Sequence, residues 1–444
     1  MEPVDTLIEA RWVVPVEPDG AVREDHAVAV RNGRIAAVLP RDEARSRYDP
    51  AAIVQLQAHA LIPGLVNAHT HAPMTLLRGL ADDLPLMEWL KDHIWPAELR
   101  FVSEEFVADG TRLAAAEMLR GGTTCFSDMY FFPDVVAHAA SAAGMRACVG
   151  LIVIDFPSPW AGSVEEYLDK GLAVHDAYRN DPLIHTAFAP HSPYAVAPSA
   201  LERLRVYSDE LDLPVHIHLH ETADEIHQGL EAQGLRPLAH LARLGLLNPH
   251  LIAVHMTQLE EDEITHLAEA GAHVVHCPQS NLKLASGLCP VQRLIDAGVN
   301  VALGTDGAAS NNDLDMMAEM QSAALLAKVT AGHAAAAPAT RVLRMATLDG
   351  ARALGLEGEL GSIEPGKSAD LAAVRLDGIE TQPLYNPVSQ IVYAAGREQI
   401  SDVWVAGQHV LKGRVLTHLD EHELLERARE WRGKIGRADE ARGG

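Results

Sequence analysis

The sequence is poor in cysteine, in basic residues and in long apolar runs. Its four cysteines, Cys125, Cys148, Cys277 and Cys289, include no Cys-x-x-Cys pair and are too few for a disulfide scaffold. The acidic start, Met1–Asp5, lacks the basic and apolar regions of a secretory signal. These features predict a protein of the reducing cytoplasm.

The shortage of positive charge excludes other classes of function. Lysine and arginine together number 36, against 61 aspartate and glutamate residues, so the formal net charge is -25. Such a field repels nucleic acids and anionic membrane surfaces. Because no apolar run reaches the roughly 18 residues of a membrane span, we also expect no membrane-spanning segment. The charge favours a small neutral or weakly charged substrate.

Both ends of the chain show the pattern of short strands and turns. Residues 7–57 include two apolar runs around Asn32-Gly33, which is a strong hairpin signal. Residues 358–415 have a similar pattern, punctuated by glycine and proline. Because each piece alone would have a thin core, we predict one composite β-sandwich domain from residues 1–58 and 358–415. A helical tail should follow over residues 416–444.

The middle of the chain alternates apolar strands with helical stretches. The clearest helix is predicted over Ser103–Arg120, with Ser103 as its N-cap and Gly121 after its end. Eight such strands over about 300 residues indicate a (β/α)8 TIM-like barrel over residues 59–357, with a doubly wound open sheet as the alternative. The predicted strands are Leu61–His69, Thr123–Met129, Arg146–Ile154, Ile184–Pro190, Val215–His220, Leu251–His255, His273–His276 and Asn300–Thr305.

The first chemical signal is a pair of histidines at the end of the first predicted strand. His69 and His71 are two residues apart, so on an extended chain their side chains point to the same side. Two imidazoles placed in this way can bind one metal ion. The chain has 23 histidines, however, so a single His-x-His pair is more often a surface or core feature.

The end of the fifth predicted strand carries the second signal. His216, His218 and His220 alternate along it and are expected to share one face. Spacing alone does not choose a metal ligand among the three, and the alternative for each is a hydrogen-bonded core residue. Glu221 follows directly and is well placed to transfer protons.

Two further residues complete the pattern. His255 ends the sixth predicted strand, and Asp306 closes the eighth within a Gly-x-Asp-Gly segment that would otherwise indicate only a turn. Metal-type residues thus stand at the carboxyl ends of strands one, five, six and eight, which is the rim where barrel enzymes place their active sites. The fourth strand, Ile184–Pro190, has no lysine to carry a second metal as a carbamate, so one metal ion is favoured.

These residues resemble the mononuclear branch of the amidohydrolase superfamily and, within it, the methylthioadenosine/S-adenosylhomocysteine deaminases. The resemblance runs over nearly the whole chain and is specific to the branch, but less specific among its deaminases and the related chlorohydrolases. The motifs that carry it are residues 63–71, 77–84, 89–98, 190–194, 276–281 and 303–312.

The resemblance implies a zinc-dependent deamination of a purine nucleoside. One zinc ion per chain is expected, with Fe2+ or Mn2+ as alternatives, and the family's His-x-x-Glu pattern selects His218 as a ligand. Glu221 would handle a ring-nitrogen proton, His255 would orient the attacking water, and Asp306 would pass the water's proton to the leaving amine. Four residues would hold the zinc: His69, His71, His218 and Asp306.

The resemblance also implies how the nucleoside is held. Glu98 would accept hydrogen bonds from both ribose hydroxyls, and Trp89, His191 and Ser310 would line the pocket. The simpler alternatives are a core tryptophan, a solvated helix charge at Glu98 and a loop histidine. We further expect a small-molecule substrate and a homo-oligomer.

One departure from the family lies in the loop after the third predicted strand. Members that accept S-adenosylhomocysteine are expected to offer an arginine there to its carboxylate, whereas residues 150–160 contain none and are largely apolar. Methylthioadenosine is therefore the expected substrate, ahead of adenosine and S-adenosylhomocysteine. The alternatives are an enzyme of the same branch that acts on guanine or a triazine, and a non-catalytic barrel that serves as an assembly module.

Overall fold

The computed structural model describes residues 1–440, except for the side chains of residues 438–440. The strands in chain order are β1 (Glu2–Val13), β2 (Arg23–Arg31), β3 (Arg34–Pro40), β4 (Tyr48–Pro63), β5 (Leu65–Thr70), β6 (Thr123–Asp128), β7 (Arg146–Val153), β8 (Ile184–Pro190), β9 (Val215–Leu219), β10 (Leu251–His255), β11 (His273–His276), β12 (Asn300–Leu303), β13 (Leu371–Arg375), β14 (Ile400–Val405), β15 (Gln408–Lys412) and β16 (Val415–Leu416).

Helices connect these strands, and none of those in the described part of the chain is both long and apolar enough to cross a membrane. Short 3-10 turns cover residues 72–77, 379–381 and 397–399, and a π-helical turn covers residues 89–94. The α-helices are α1 (Arg41–Arg47), α2 (Leu86–Glu88), α3 (Trp95–Phe101), α4 (Glu104–Arg120), α5 (Pro133–Ala142), α6 (Val164–Tyr178), α7 (Pro198–Leu211), α8 (Ala223–Gln233), α9 (Pro237–Arg243), α10 (Glu261–Ala270), α11 (Pro278–Lys283), α12 (Val291–Asp296), α13 (Ala308–Asn311), α14 (Met316–Ala331), α15 (Ala339–Met345), α16 (Leu348–Ala353), α17 (Pro387–Tyr393) and α18 (Glu421–Glu440).

The middle of the chain forms an eight-stranded parallel sheet with helices between its strands, which confirms the predicted TIM-like architecture. Its order, β12-β11-β10-β9-β8-β7-β6-β5, follows the chain. The backbone N–H of Asp306, just beyond β12, donates to the carbonyl of His69 in β5 over 3.0 Å. This hydrogen bond brings the carboxyl ends of the last and first strands together, so the candidate site residues meet at one rim.

The first predicted strand needs a correction. The sequence predicts one barrel strand over Leu61–His69, but residues 61–63 end β4 of the other sheet and the barrel begins at Leu65. Gly64 lies between the two strands, and a Cβ there would be 2.1 Å from the hydroxyl oxygen of Thr124. Both strands are buried and apolar, so the pattern of hydrophobicity did not show the change of sheet. The other seven predicted strands agree with the structure to within two residues at each end.

The two chain ends form a second, mixed sheet in the order β16-β15-β14-β13-β4-β1-β2-β3. β1 is parallel to β4 and antiparallel to β2, and β13 joins the halves by antiparallel pairing with β4. Side chains from both halves share one core, among them Ile8, Val28, Leu371 and Trp404. The smaller β domain expected from both ends is therefore present.

The described chain forms two compact units. One comprises residues 1–67, 117–125 and 315–418, and the other comprises residues 68–116, 126–314 and the described part of 419–444. All of the predicted site residues belong to the second unit. The domain limits expected at residues 58, 357 and 415 stay a prediction.

The part of α4 that belongs to this second unit packs against the predicted helical tail. The hydroxyl of Ser103 accepts the N–H of Phe106 over 3.2 Å, which is the predicted N-cap of α4. Trp431 of α18 is buried, packs edge-on against Phe106 and donates from its indole nitrogen to Asp109 of α4 over 2.8 Å. Residues 441–444 of the predicted tail lie outside the described residues.

Candidate active site

Four metal-type side chains meet at the carboxyl ends of the barrel strands. His69 lies in β5, His71 just after it, His218 in β9 and Asp306 just after β12. One ligand atom from each lies within 4.8 Å of the others. His69, His218 and Asp306 are buried, and His71 is only slightly exposed.

The spacing of these donor atoms fits a single metal ion. Nε2 of His218 is 3.3 Å from Nε2 of His71, and Oδ1 of Asp306 is 3.3 Å from Nε2 of both His69 and His71. Two ligands at about 2.0–2.1 Å from a tetrahedrally coordinated ion are separated by about 3.3–3.4 Å. Three imidazole nitrogens and one carboxylate oxygen therefore form a site for a divalent metal ion.

Each of the three histidines is oriented by a hydrogen bond on its other nitrogen. His71 and His218 donate from Nδ1 to backbone carbonyls over 2.5 and 2.7 Å. Nδ1 of His69 lies 2.9 Å from Nε2 of His216. Because a carbonyl only accepts, Nδ1 of His71 and of His218 carries the proton, and Nε2 remains available to a metal.

Two serines and a backbone amide hold Asp306. Its Oδ2 accepts the hydroxyls of Ser280 and Ser310 over 2.6 and 2.9 Å, and its Oδ1 accepts the N–H of Gly307 over 2.8 Å. Although burial opposes it, the hydrogen bonds with the neighbouring metal-site histidines hold the pKa of Asp306 well below its usual range. Ser310, expected in the nucleoside pocket, thus also orients a metal ligand. Ser280 was not singled out as a site residue by the sequence.

Two candidate proton-transfer groups stand beside the metal site. Oε2 of Glu221 lies 3.9 Å from Nε2 of His255. Burial raises the pKa of Glu221, which suits a group that exchanges protons near neutral pH. His255 donates from Nδ1 to the side-chain oxygen of Asn281 over 2.9 Å, so its ring is fixed with Nε2 towards Glu221.

The backbone at this rim adopts conformations that are rare for residues with side chains. The φ angle is 53° at His220, 78° at His255 and 63° at Asp306. Such conformations persist only where the surroundings hold them. At the end of β9 that role falls to Glu225, whose carboxylate accepts the N–H groups of His220 and Glu221 over 2.9 and 2.7 Å.

The three histidines of the β9 segment lie in three different places. His218 belongs to the metal site, and His216 is buried beside His69. His220 follows the end of the strand, and its Nε2 accepts the N–H of Leu238 over 3.0 Å. The prediction that all three share one face is wrong for His220, because the alternation stops where the strand stops.

A cavity of about 1070 Å³ opens onto this rim. It has the size of a site for a small molecule. The structure brings the predicted substrate residues and the predicted proton-transfer residues to its surface together. Every predicted site residue except His69 lines it: His71, Trp89, Glu98, His191, His218, Glu221, His255, Asp306 and Ser310.

Glu98, in α3, is the candidate ribose ligand of this cavity. The Tyr130 hydroxyl donates to its Oε1 over 2.6 Å. Burial raises the pKa of Glu98 to about 7, in spite of that hydrogen bond. Tyr130 was not singled out from the sequence, although its place just after the second barrel strand was an available signal.

The cavity lining combines an apolar side with several carboxyl groups. Ile152, Ile154, Phe156 and Pro157 give it an apolar side after β7. Among the described residues that line it, none is a lysine or an arginine. Six carboxylates line it: Glu98, Asp155, Glu221, Glu225, Glu231 and Asp306.

Known proteins share this sequence and architecture. The model of the amidohydrolase family matches residues 60–410, and residues 27–51 match an imidazolonepropionase-like composite domain of bacteria. A 5-methylthioadenosine/S-adenosylhomocysteine deaminase of Teredinibacter turnerae is 51% identical over 98% of this chain and 98% of its own. An enzyme of the same name from Saccharophagus degradans is 47% identical over 98% of this chain and 97% of its own.

Solved structures add two comparisons. An adenosine deaminase from Xanthomonas campestris with bound zinc is 58% identical, with a TM-score of 0.97 over 98% of this chain and 99% of that one. An atrazine chlorohydrolase from Arthrobacter aurescens, complexed with zinc, is 22% identical, with a TM-score of 0.90 over 96% of this chain and 99% of that one. The second likeness shows the fold alone.

Proposed function

The chain belongs to the amidohydrolase family, among relatives named as methylthioadenosine/S-adenosylhomocysteine deaminases, and from this premise we propose that it is a zinc-dependent deaminase of adenosine-type nucleosides. The observation that carries the proposal is the content of one cavity. Three of the four metal-site residues, a buried glutamate beside them and a second carboxylate suited to ribose line the same space, and the fourth metal-site residue, His69, has a ligand atom within 4.8 Å of the other three. The favoured substrate is methylthioadenosine.

Zinc is the ion that the donor set supports best. Three imidazole nitrogens and one carboxylate oxygen are ligands that zinc prefers, and the 3.3 Å separations suit its tetrahedral geometry. When bound, zinc supplies a nucleophile at neutral pH, because it lowers the pKa of water to about 7. One ion per chain is proposed, since β8 has no lysine to carry a second.

The chain's own residues divide the proton transfers. Glu221, with its raised pKa, protonates the ring nitrogen next to the amino-bearing carbon as water adds to that carbon. His255 orients the attacking water. Asp306 takes one proton of the water and passes it to the amine, which leaves as ammonia. The second proton of the water, on the hydroxyl of the adduct, returns to Glu221 as the carbonyl forms. The overall change is nucleoside plus water to the inosine analogue plus ammonia.

The rest of the cavity holds the nucleoside. Glu98 is oriented by Tyr130, so its carboxylate can accept both ribose hydroxyls as charge-assisted hydrogen bonds. Trp89 and His191 lie on the cavity surface and supply ring faces for the adenine. A free base lacks the ribose and would lose the contact with Glu98.

The three adenosine-type nucleosides share adenine and ribose and differ in the group attached beyond the ribose, so that group decides which of them is preferred. The apolar side after β7 suits an uncharged methylthio group. The homocysteine of S-adenosylhomocysteine brings a carboxylate, for which the described lining offers carboxylates and no lysine or arginine. Adenosine is the second candidate substrate, because the 58% identical protein from Xanthomonas campestris is named an adenosine deaminase.

The proposal is tested by a deamination screen of the purified, zinc-loaded protein. Methylthioadenosine, adenosine, S-adenosylhomocysteine, adenine and guanine would be compared by ammonia release, and atrazine by the release of both ammonia and chloride. We expect the nucleosides to be deaminated with the highest kcat/KM for methylthioadenosine, and little turnover of guanine or atrazine. The proposal would be overturned if guanine or atrazine were turned over faster than every nucleoside, or if none of the compounds were turned over.

A further inference from the structure

His69 is oriented differently from the other two histidines of the metal site. The Nδ1 atoms of His71 and His218 donate to backbone carbonyls, which no substitution removes. Nδ1 of His69 lies 2.9 Å from Nε2 of a side chain, His216, and the two rings meet edge-on with centroids 4.9 Å apart. Neither histidine has any exposed surface, so water cannot take the place of this contact.

The direction of this hydrogen bond follows from the metal site. A histidine that binds a metal through Nε2 carries its proton on Nδ1, so Nδ1 of His69 donates and Nε2 of His216 accepts. A neutral imidazole has one donor and one acceptor, so His216 then carries its proton on Nδ1. That nitrogen lies 3.3 Å from the hydroxyl of Ser127, which is also fully buried.

We propose that His216 is a positioning residue for the metal site: it acts as the neutral acceptor that holds the proton of His69 on Nδ1 and leaves Nε2 free to bind zinc. The inference rests on the metal site of the proposed function, but not on which nucleoside is deaminated. It also explains the pair of histidines in β9. His218 is itself a metal ligand, and His216, two residues earlier on the same strand, orients another ligand, His69.

Removal of the acceptor has a defined consequence. The N–H of His69 would be buried without a partner, which costs free energy. The ring would then either turn or move its proton to Nε2, the atom that faces Asp306, and in both cases the metal loses a ligand. Loss of such a supporting partner typically lowers metal affinity about 10–100-fold.

The test measures zinc affinity by competition with a chromophoric chelator, together with thermal unfolding of the metal-free proteins. His216→Phe fills the space but cannot accept, whereas His216→Gln keeps an acceptor. His220→Phe is the matched control, because His220 is equally buried at the end of the same strand but contacts none of the four ligands. Should His216→Phe fail to fold, His216→Asn replaces it, since its shorter amide falls short of His69.

We expect His216→Phe to bind zinc about 10–100-fold more weakly than the parent, with His216→Gln close to the parent and His220→Phe unchanged. Parent-like affinity in His216→Phe, or an equally weak His216→Gln, would overturn the inference and leave the proposed function standing. A parent protein that binds no zinc would overturn both. Because the test measures zinc affinity, the role of His216 can be tested even if the parent binds zinc but deaminates no nucleoside.

Discussion

The discrimination between methylthioadenosine and S-adenosylhomocysteine gives the sharpest prediction about specificity. Both share adenine and ribose, so the metal site, Glu221 and Glu98 cannot tell them apart, and the difference must come from what surrounds the sulfur substituent. A buried methyl group gains about 0.8 kcal/mol, while a carboxylate in this cavity, whose described lining has no lysine or arginine, loses water without gaining either cation. Since about 1.4 kcal/mol makes a tenfold ratio, we expect kcat/KM to favour methylthioadenosine by at least about tenfold.

A substitution at Phe156 tests the physical reason. This side chain lines the cavity and is 49% exposed, so an arginine there can be accommodated and can reach a carboxylate. An exposed ion pair is worth about 0.5–1 kcal/mol, which corresponds to a two- to fivefold change. Phe156→Arg should therefore narrow the preference for methylthioadenosine by about two- to fivefold, and Phe156→Gln is the uncharged control.

The assay is kcat/KM for both nucleosides in the parent and the two variants, followed as ammonia release. A parent value for S-adenosylhomocysteine equal to or above that for methylthioadenosine would refute the reasoning about the apolar side of the cavity. An equal change in Phe156→Arg and Phe156→Gln would show that bulk, and not charge, sets the preference.

The remaining predictions concern the two functional glutamates. Glu221→Gln should keep its zinc but lose about 10²–10⁴ in kcat; parent-rate turnover by a zinc-loaded variant would remove Glu221 from the mechanism. Glu98→Gln should lower kcat/KM for nucleosides by about ten- to a hundredfold, because the lost charge-assisted hydrogen bonds are worth about 1.5–3 kcal/mol, and should leave free adenine unaffected; equal losses for both would contradict the ribose contact. Burial raises the pKa of Glu98 to about 7, and only its ionised form accepts both hydroxyls. The KM for nucleosides should therefore rise as the pH falls through that value, and this pH dependence should be lost in Glu98→Gln. A KM of the parent that does not change over this range would count against the ribose contact.

The barrel was predictable because its signal repeats eight times. Strands such as Ile184–Pro190 and Leu251–His255 are short, apolar and bounded by turns, and the structure has them with the same limits. The change of sheet at Gly64 was not predictable from hydrophobicity, since the residues on both sides of it are buried. It depends on the close approach of Thr124, which is distant in sequence.

The candidate site, like the fold, was only partly predictable from the sequence. Its metal-type residues stand at strand ends, where the order of strands brings them together without further information. The residues that orient the site groups could not be matched to their partners from the sequence: Ser280 reaches Asp306, Asn281 reaches His255, and Tyr130 reaches Glu98 across 26 to 32 positions of sequence. Ser280 and Asn281 fall within residues 276–281, one of the motifs that carry the family resemblance, and Tyr130 stands just after the second barrel strand, but neither observation indicated which side chain each one contacts.

The central claim is that one zinc ion in the four-residue site drives deamination of a nucleoside. Its most direct test is to strip the protein of metal, add zinc back in known amounts and follow the deamination of methylthioadenosine. Activity should be absent without metal, rise in proportion to zinc and level off at one ion per chain. Full activity in the metal-free protein, or a rise that continues to two tightly held ions per chain, would contradict the account.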